Sequence, residues 1–326
     1  MSRKTVLLID GTNHFMRCFE RVGTIDANGE HTGGVGGALK SLAYITREIA
    51  KGPEKVVVVF DGKYNTKRRV KLFEDYKSGR KTPREKFNRI YHDGTDGEVN
   101  SMRIQFQRFL DVLDVLPVSV VRYPNYEADD IIAKMALDYS ETHNVIISST
   151  DKDFVQLVSE NIKIFNRMLY GIDEVIERYA IHPVNFVLAR AMSGDSSDSI
   201  PGLPRIGLRT LVSKFPAFGT SEKIDFKFIV EESKKQVDSG SKLIVYKNIL
   251  DASAESIVQR NLELMQLTEA ALSGKAILRL RKVVADSEGE FHPTQLLVIL
   301  NDYGLNTIVK NPQLWLHRSF GNVGNK

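Results

Sequence analysis

Nine carboxylates stand where apolar runs of this chain end or where helical patterns begin: Asp10, Asp61, Glu127, Asp129, Asp130, Asp151, Asp153, Asp195 and Asp198. Gathered on one surface they would repel one another unless cations neutralised them, and such hard oxygen donors favour magnesium or manganese. Two ions about 4 Å apart can generate a hydroxide at neutral pH and stabilise a departing oxygen, which is the chemistry of phosphodiester hydrolysis. No side-chain nucleophile is then required. The chain has no Gly-x-Ser-x-Gly elbow, no lysine-bearing phosphate loop and no metalloprotease helix. Each acidic group alone has a plainer reading, as a turn residue after a strand or, for Glu127, Asp129 and Asp130, as an acid favoured by a helix dipole. Their joint placement argues for the metal site.

The elements that must position these acids are legible as short β-rich runs. Val6 to Ile9 ends in Asp10-Gly11, Val56 to Phe60 ends in Asp61-Gly62, and Val118 to Val121 and Val145 to Ile147 have the same character. Helical patterns such as Ala38 to Ile49 and Ile104 to Leu113 lie between them, an α/β alternation. Open parallel sheets collect ligands at the carboxyl ends of their strands, so the acids should converge on one edge. Beyond about residue 180 the pattern becomes helical, through Phe186 to Met192, Leu243 to Leu250, Leu262 to Ala271 and Thr294 to Leu300. The stretch from Phe218 to Gly240 reads as a loop or mobile hairpin, and the tail after Phe320 as frayed. The expected division is a catalytic core over residues 1–180 and a helical region over 181–326.

Composition sets the outer bounds. The 326 residues, 42% of them hydrophobic, can fill a real core. No apolar run nears the roughly 18 residues of a membrane span, and no export signal is visible. One cysteine, Cys18, excludes an internal disulfide, and the seven histidines lack paired metal-ligand spacing, which leaves zinc little support. A cytoplasmic monomer fits best.

The net charge of +4 is distributed unevenly. Between Lys63 and His92 there are eleven Lys or Arg against three acids, a local +8, with Phe73, Tyr76, Phe87 and Tyr91 among the cations. A charge run is usually a solvated helix face, but cations interleaved with aromatics suit single-stranded nucleic acid. A second segment, Ile200 to Thr210, places Gly202 and Gly207 at tight turns ahead of a helix that should begin near Leu208, where backbone N–H groups could meet a phosphate. The run Gly33-Gly34-Val35-Gly36-Gly37 could do the same, although packing is its better explanation.

Taken in order, the motifs Leu-Ile-Asp10-Gly-Thr-Asn, Val-Phe-Asp61-Gly, Arg69 with Tyr76-Lys77, Glu127-Ala-Asp129-Asp130-Ile-Ile-Ala, Ser-Thr-Asp151-Lys-Asp153-Phe and Gly194-Asp195-Ser-Ser-Asp198-Ser-Ile-Pro-Gly resemble the 5′ nuclease superfamily. That superfamily includes flap endonucleases, the 5′ nuclease domain of DNA polymerase I and bacteriophage ribonuclease H-type enzymes, and the length favours a stand-alone, phage-like member. The resemblance, which covers residues 5 to about 265, implies a PIN-like parallel-sheet α/β core, a helical arch over residues 63–96 and a helix-three-turn-helix over 193–214. It implies two Mg2+ or Mn2+ ions, the first held by Asp10, Asp61, Glu127 and Asp129. The second would be held or oriented by Asp130, Asp151, Asp153, Asp195 and Asp198. It further implies that Lys77 and Arg69 reach the scissile phosphate and that Tyr76 stacks near the 5′ strand. Arg68, Arg80, Lys81, Gly202, Arg205, Gly207 and Arg209 would contact nucleic acid, with K+ assisting at the helix-three-turn-helix. The substrates implied are branched or nicked DNA and RNA-DNA hybrids, as in primer removal during replication. Arg205 stands where relatives often carry glycine, and Pro83 with Gly94 to Gly97 argues against one continuous arch helix.

Two other classes compete. A non-catalytic branched-DNA binding protein on the same scaffold should lack some ligand, and none is missing. A compact RNA-cleaving toxin of the PIN type would be far shorter. Near the C-terminus Gln313-Leu-Trp-Leu316 and Phe320 loosely match a sliding-clamp docking peptide; a clamp or single-strand-binding partner is one reading, but Trp315 as a core residue is the better one.

Overall fold

The computed structural model describes residues 3–26, 29–79, 94–267, 272–286, 292–307, 309 and 311–324. Its centre is a six-stranded sheet formed by β1 (Thr5–Asp10), β2 (Lys55–Phe60), β3 (Ser119–Arg122), β4 (Asn144–Ser148), β5 (Ile162–Asn166) and β6 (Met168–Tyr170). The strand order is β3-β2-β1-β4-β5-β6, with every pairing parallel except the terminal β5–β6 hairpin. Runs such as Val-Leu-Leu-Ile and Val-Val-Val-Val are apolar on both faces because the sheet is covered on both sides.

The alternation of side chains sorts them into two cores. Val6, Leu8, Val57 and Val59 face one core, and Leu7, Ile9, Val56, Val58 and Phe60 face the other. The chain runs β1 to β2 to β3 in one direction, then returns to place β4 against the free side of β1, so the topological switch lies between β1 and β4. Asp10 ends β1 and Asp151 follows β4, which sets both acids at that crevice.

Helices α1 (Gly11–Arg21), α2 (Gly33–Tyr44), α3 (Lys67–Leu72), α4 (Gly94–Leu113), α5 (Ala128–Ser140), α6 (Ile172–Tyr179) and α7 (Pro183–Ser193) surround the sheet. A short pair, β7 (Gly194–Asp195) and β8 (Ile200–Pro201), then leads into α8 (Leu208–Lys214). The chain finishes in α9 (Phe226–Asp238), α10 (Ile244–Ile249), α11 (Ala254–Met265), α12 (Gly274–Asp286), α13 (Pro293–Asp302) and α14 (Pro312–Phe320). These late helices share the two cores of the sheet: Phe186, Ile229 and Val258 join the first, and Leu296, Leu316 and Phe320 the second. Among the described residues no helix is long and apolar enough to cross a membrane.

Three sequence expectations are corrected. Phe218 to Gly240 is no mobile hairpin, because Asp225 caps α9 by accepting from the Phe228 N–H at 2.8 Å, and Ile229 and Ser233, one turn apart, are buried. The dense charges of that stretch lie on the solvent side of the helix. The helix expected from Leu262 to Ala271 begins at Ala254 and ends at Met265; residues 268–271 lie outside the described ones. The tail is docked as far as Gly324, whose N–H donates to Pro53 O at 3.3 Å while Val323 packs on the core.

Candidate active site

Asp10 lies at the junction of β1 and α1 and caps that helix, accepting from the Asn13 N–H at 3.0 Å and from the Ser149 hydroxyl at 3.0 Å. Asp61, after β2, reaches across to the head of α5 and accepts from the Ala128 N–H at 3.0 Å. Thr150 is tied to Asn13, which donates to its hydroxyl at 2.8 Å, so the segment leading into Asp151 is fixed against α1. Asp151 in turn accepts from the Asp153 N–H at 2.8 Å. Asp10 and Asp151 therefore hold their positions by capping the turns that follow them, and Asp61 by bonding the head of α5.

Glu127, Asp129 and Asp130, at the head of α5, present carboxylate oxygens within 4.8 Å of one another. Four groups from the basic segment descend onto them. Arg69, a fully buried side chain, contacts Glu127, Asp130 at 3.0 Å and Asp129 at 3.5 Å, and its Nε donates to Leu264 O at 2.9 Å. Lys77 pairs with Glu127, and the Tyr76 hydroxyl donates to Glu127 at 3.1 Å. Arg68 reaches Asp130 at 3.2 Å, so both oxygens of that carboxylate face guanidinium groups. Asp129 is the member of the trio that remains partly open.

A third cluster centres on Arg190 of α7, which pairs with Asp153 at 3.1 Å and with Asp195. Asp195 also accepts from the Ser197 hydroxyl at 2.6 Å. Asp198 lies beside the first cluster, accepting from the Tyr76 hydroxyl at 3.5 Å. The sequence reading missed Arg190; its signal was a cation inside an otherwise apolar helix, five residues ahead of Asp195.

The electrostatics record how much negative charge is left over. Burial pushes Asp10 up to about 7, and the nearby Asp61 and Asp151 add to the shift against its backbone and hydroxyl bonds. Burial and Asp151 likewise push Asp153 up to about 7 in spite of Arg190. Burial also raises Asp129, with Asp130 and Glu127 beside it. Burial opposes the ionised form of Glu127 too, but Arg69 and Lys77 overcome it and hold that carboxyl below its usual range. Asp10, Asp129 and Asp153 are thus acids whose ionised forms a nearby added cation would favour.

The expected nucleic-acid contacts are divided. Arg80 and Lys81 lie outside the described residues, and the described part of the basic segment is α3 followed by turns through Gly79. Gly202 is a packing glycine, since a Cβ there would lie 2.3 Å from the Ser193 carbonyl carbon. Arg205, Gly207 and Arg209 are exposed, and Gly207 has open space where a Cβ would be. Arg205 takes φ 59°, the left-handed conformation in which glycine is cheapest. The N–H groups of Gly34 and Val35 are taken by the Gln105 side chain at 2.8 and 3.2 Å, and a Cβ on Gly33 would fall 1.6 Å from Val22 O. That glycine run serves packing. In α14, Leu316 and Phe320 are buried and Trp315 meets Phe320 edge-on at 5.5 Å, so the clamp-like segment is part of the core.

Residues 5–180 match the family model described as 5′-3′ exonuclease, N-terminal resolvase-like domain. A 5′-3′ exonuclease of Aquifex aeolicus is 30% identical over 68% of this chain and 72% of its own length. A DNA polymerase I of Deinococcus radiodurans is 32% identical over 68% of this chain but only 21% of that polymerase. Among solved structures, the flap endonuclease of bacteriophage T5, determined with DNA and metal ions, has a similar fold at TM-score 0.67 and 18% identity. That similarity covers 88% of this chain and all of the other.

Proposed function

The chain belongs to the 5′-3′ exonuclease family of nucleases, and from that premise we propose that it cuts phosphodiesters near the 5′ ends of flap, nicked or RNA-DNA hybrid duplexes. The observation that carries this reading is the pairing of a crowded, partly uncompensated acid cluster with Lys77, Arg69 and Tyr76 from a cation-rich segment. A phosphate at such a place meets positive charge and N–H donors directly beside the acids.

The donor set fits divalent ions. Asp10, Asp61, Glu127 and Asp129 would hold the first, and Asp151, Asp153, Asp195 and Asp198 would hold or orient the second, directly or through water. Asp130 would join the second group, and its pairing with Arg68 and Arg69 would also orient those cations. Mg2+ or Mn2+ bound there would supply a hydroxide at neutral pH and neutralise charge on the phosphate. Lys77 would stabilise the charge that develops on the phosphoryl oxygens, a role in which a preorganised donor is worth far more than it is in water; Arg69, expected at the phosphate too, is buried among Glu127, Asp129 and Asp130 and would hold those acids in place. Tyr76, expected to stack near the 5′ strand, is buried with its hydroxyl on Glu127 and Lys77 over its ring, a place from which it would hold those two groups rather than meet a base.

Residues 193–214 would act as the helix-three-turn-helix that grips duplex phosphates, through the open turn at Gly207 and the exposed Arg205 and Arg209, where K+ would assist. The helical arch expected over residues 63–96 lies outside the described residues from 80 to 93, and residues 63–79 would form the described base of the gateway for the single-stranded 5′ end. The division into a core over 1–180 and a DNA-binding region over 181–326 follows from these roles. The work so described is removal of RNA primers and flaps in lagging-strand replication, with exonuclease, flap endonuclease and ribonuclease H activities, in a bacterial cytoplasm and from a phage-encoded chain. A single-strand-binding protein is one partner that would suit this role; a clamp would need a surface other than the buried face of α14.

The test is a 5′-labelled flap duplex incubated with the protein, with and without magnesium or manganese. Metal-dependent release of the flap supports the nuclease. Binding of the junction without any cleavage in either metal replaces it with the reading of a branched-DNA binding protein.

A further inference from the structure

The loop that carries Asp195 and Asp198 is closed at its neck by a ladder of only two residue pairs, Gly194 with Pro201 and Asp195 with Ile200. The two backbones cross there so closely that Gly194 takes φ 75° and a Cβ on it would lie 2.3 Å from Gly202 N. So short a ladder has little stability of its own. Two acids that are to meet a cation at a fixed separation need a firmer hold.

That hold comes from α11. Asn261, a fully buried side chain of that helix, donates through its amide nitrogen to Ala191 O at 2.8 Å and to Pro201 O at 2.9 Å. Ala191 belongs to the last turn of α7, where helix carbonyls lack partners within the helix, and Pro201 stands on the returning strand. One side chain thus joins the two ends of the loop. The amide oxygen is fixed as well, accepting from Arg260 Nε at 3.2 Å and Nη2 at 3.0 Å, and that guanidinium lies over the Phe73 ring at 4.6 Å. The reverse orientation of the amide would set its oxygen against two carbonyl oxygens, so the network admits one arrangement. From the same turn of α7, Arg190 reaches into the loop and pairs with Asp195 and Asp153.

We propose that Asn261 is a positioning residue for Asp195 and Asp198: by stapling the neck of their loop it fixes where both acids stand relative to Asp151 and Asp153, and so sets the affinity for the second of the two cations. The proposal rests on the two-cation reading above. The acids of the first group are held elsewhere, Asp10 by Asn13 and Ser149 and Asp61 by Ala128. Loss of the staple therefore weakens one ion and spares the other. A group that orients a ligand without touching the metal is typically worth about 10- to 100-fold in metal affinity.

The test counts Mn2+ bound to the DNA-free protein, from the electron paramagnetic resonance signal of the free ion, for the parent and for Asn261→Leu, which keeps the side chain's size but has no donor. The parent should take up two ions. The variant should hold one at the parent's affinity and the other about tenfold less well, and the Mg2+ concentration for half-maximal flap cleavage should rise in step. Parental affinity for both ions, or equal weakening of both, overturns the proposal whatever the change in Tm. Asn261→Asp, which keeps the side chain's shape and its pairing with Arg260 but cannot donate to both carbonyls, gives the same reading should the first variant melt early. A parent that takes up fewer than two ions removes the two-cation reading, and the proposal with it.

Discussion

The backbone N–H of Lys77 donates to the carbonyl oxygen of Asp198 at 2.9 Å, so the loop that supplies the last acid also anchors the cation that reaches Glu127. The same loop holds the next turn, since Ser199 Oγ accepts from the Gly79 N–H at 2.9 Å. Lys77 itself takes φ 60°, a conformation that needs such an anchor.

Replacing Lys77 by alanine should therefore act on chemistry and little on the fold. Single-turnover cleavage of a flap duplex should fall by roughly 10²- to 10³-fold, while affinity for the duplex changes by less than about threefold. Stopped-flow cleavage at saturating protein, with anisotropy for binding, separates the two.

Arg69 plays a different part because it is buried among three carboxylates. Arg69→Leu leaves Glu127 and Asp130 enclosed without their main counter-charge and should cost about 3–5 kcal/mol of stability. Urea unfolding without metal reads this. Magnesium should recover part of the loss.

Acidity and metal binding should be linked. Asp10 titrates at about 7 in the folded protein against an ordinary value near 4. Its carboxyl therefore favours the folded metal-free state at low pH, and that contribution disappears as pH rises through about 7. Asp153 behaves alike. A cation that needs both groups ionised should raise Tm more at pH 8 than at pH 6. Equal shifts at the two pH values would show that these acids do not bind it.

His14 gives a titration of opposite sign. It is buried, its Nε2 lies 2.9 Å from Ala38 O, its Nδ1 has no partner, and burial pushes it down to about 4. The stability it supports is complete above about 6.5 and is lost as pH falls towards 4, on the order of 3 kcal/mol in all. His14→Gln should flatten that limb of the stability profile relative to the parent. Guanidinium melts of both proteins from pH 4 to 7 measure the difference.

Much of this was legible in the sequence because it depends on local chemistry. Asp10 and Asp61 terminate apolar runs, and a parallel sheet gathers such endings on one edge without further information. Ile162–Asn166 and Met168–Tyr170 escaped notice because β5 is short and interrupted by Lys163, and its register is set by β4. Helix α9 was hidden behind its charges, although Asp225 with Phe228 and the spacing of Ile229 and Ser233 were present to be read. Partners across long separations were not readable at all. That Arg69 meets Glu127 and that Arg190 bridges Asp153 and Asp195 are consequences of packing.

The central claim is that the acids serve catalysis, and it is tested most directly with an Asp129→Asn/Asp151→Asn variant beside the parent on a 5′-labelled flap duplex. Both proteins should bind the junction with similar affinity and melt at similar temperatures, and only the parent should release the flap, and only when magnesium or manganese is present. Cleavage by the variant at the parent's rate, or release by the parent in the absence of divalent metal, would contradict the account.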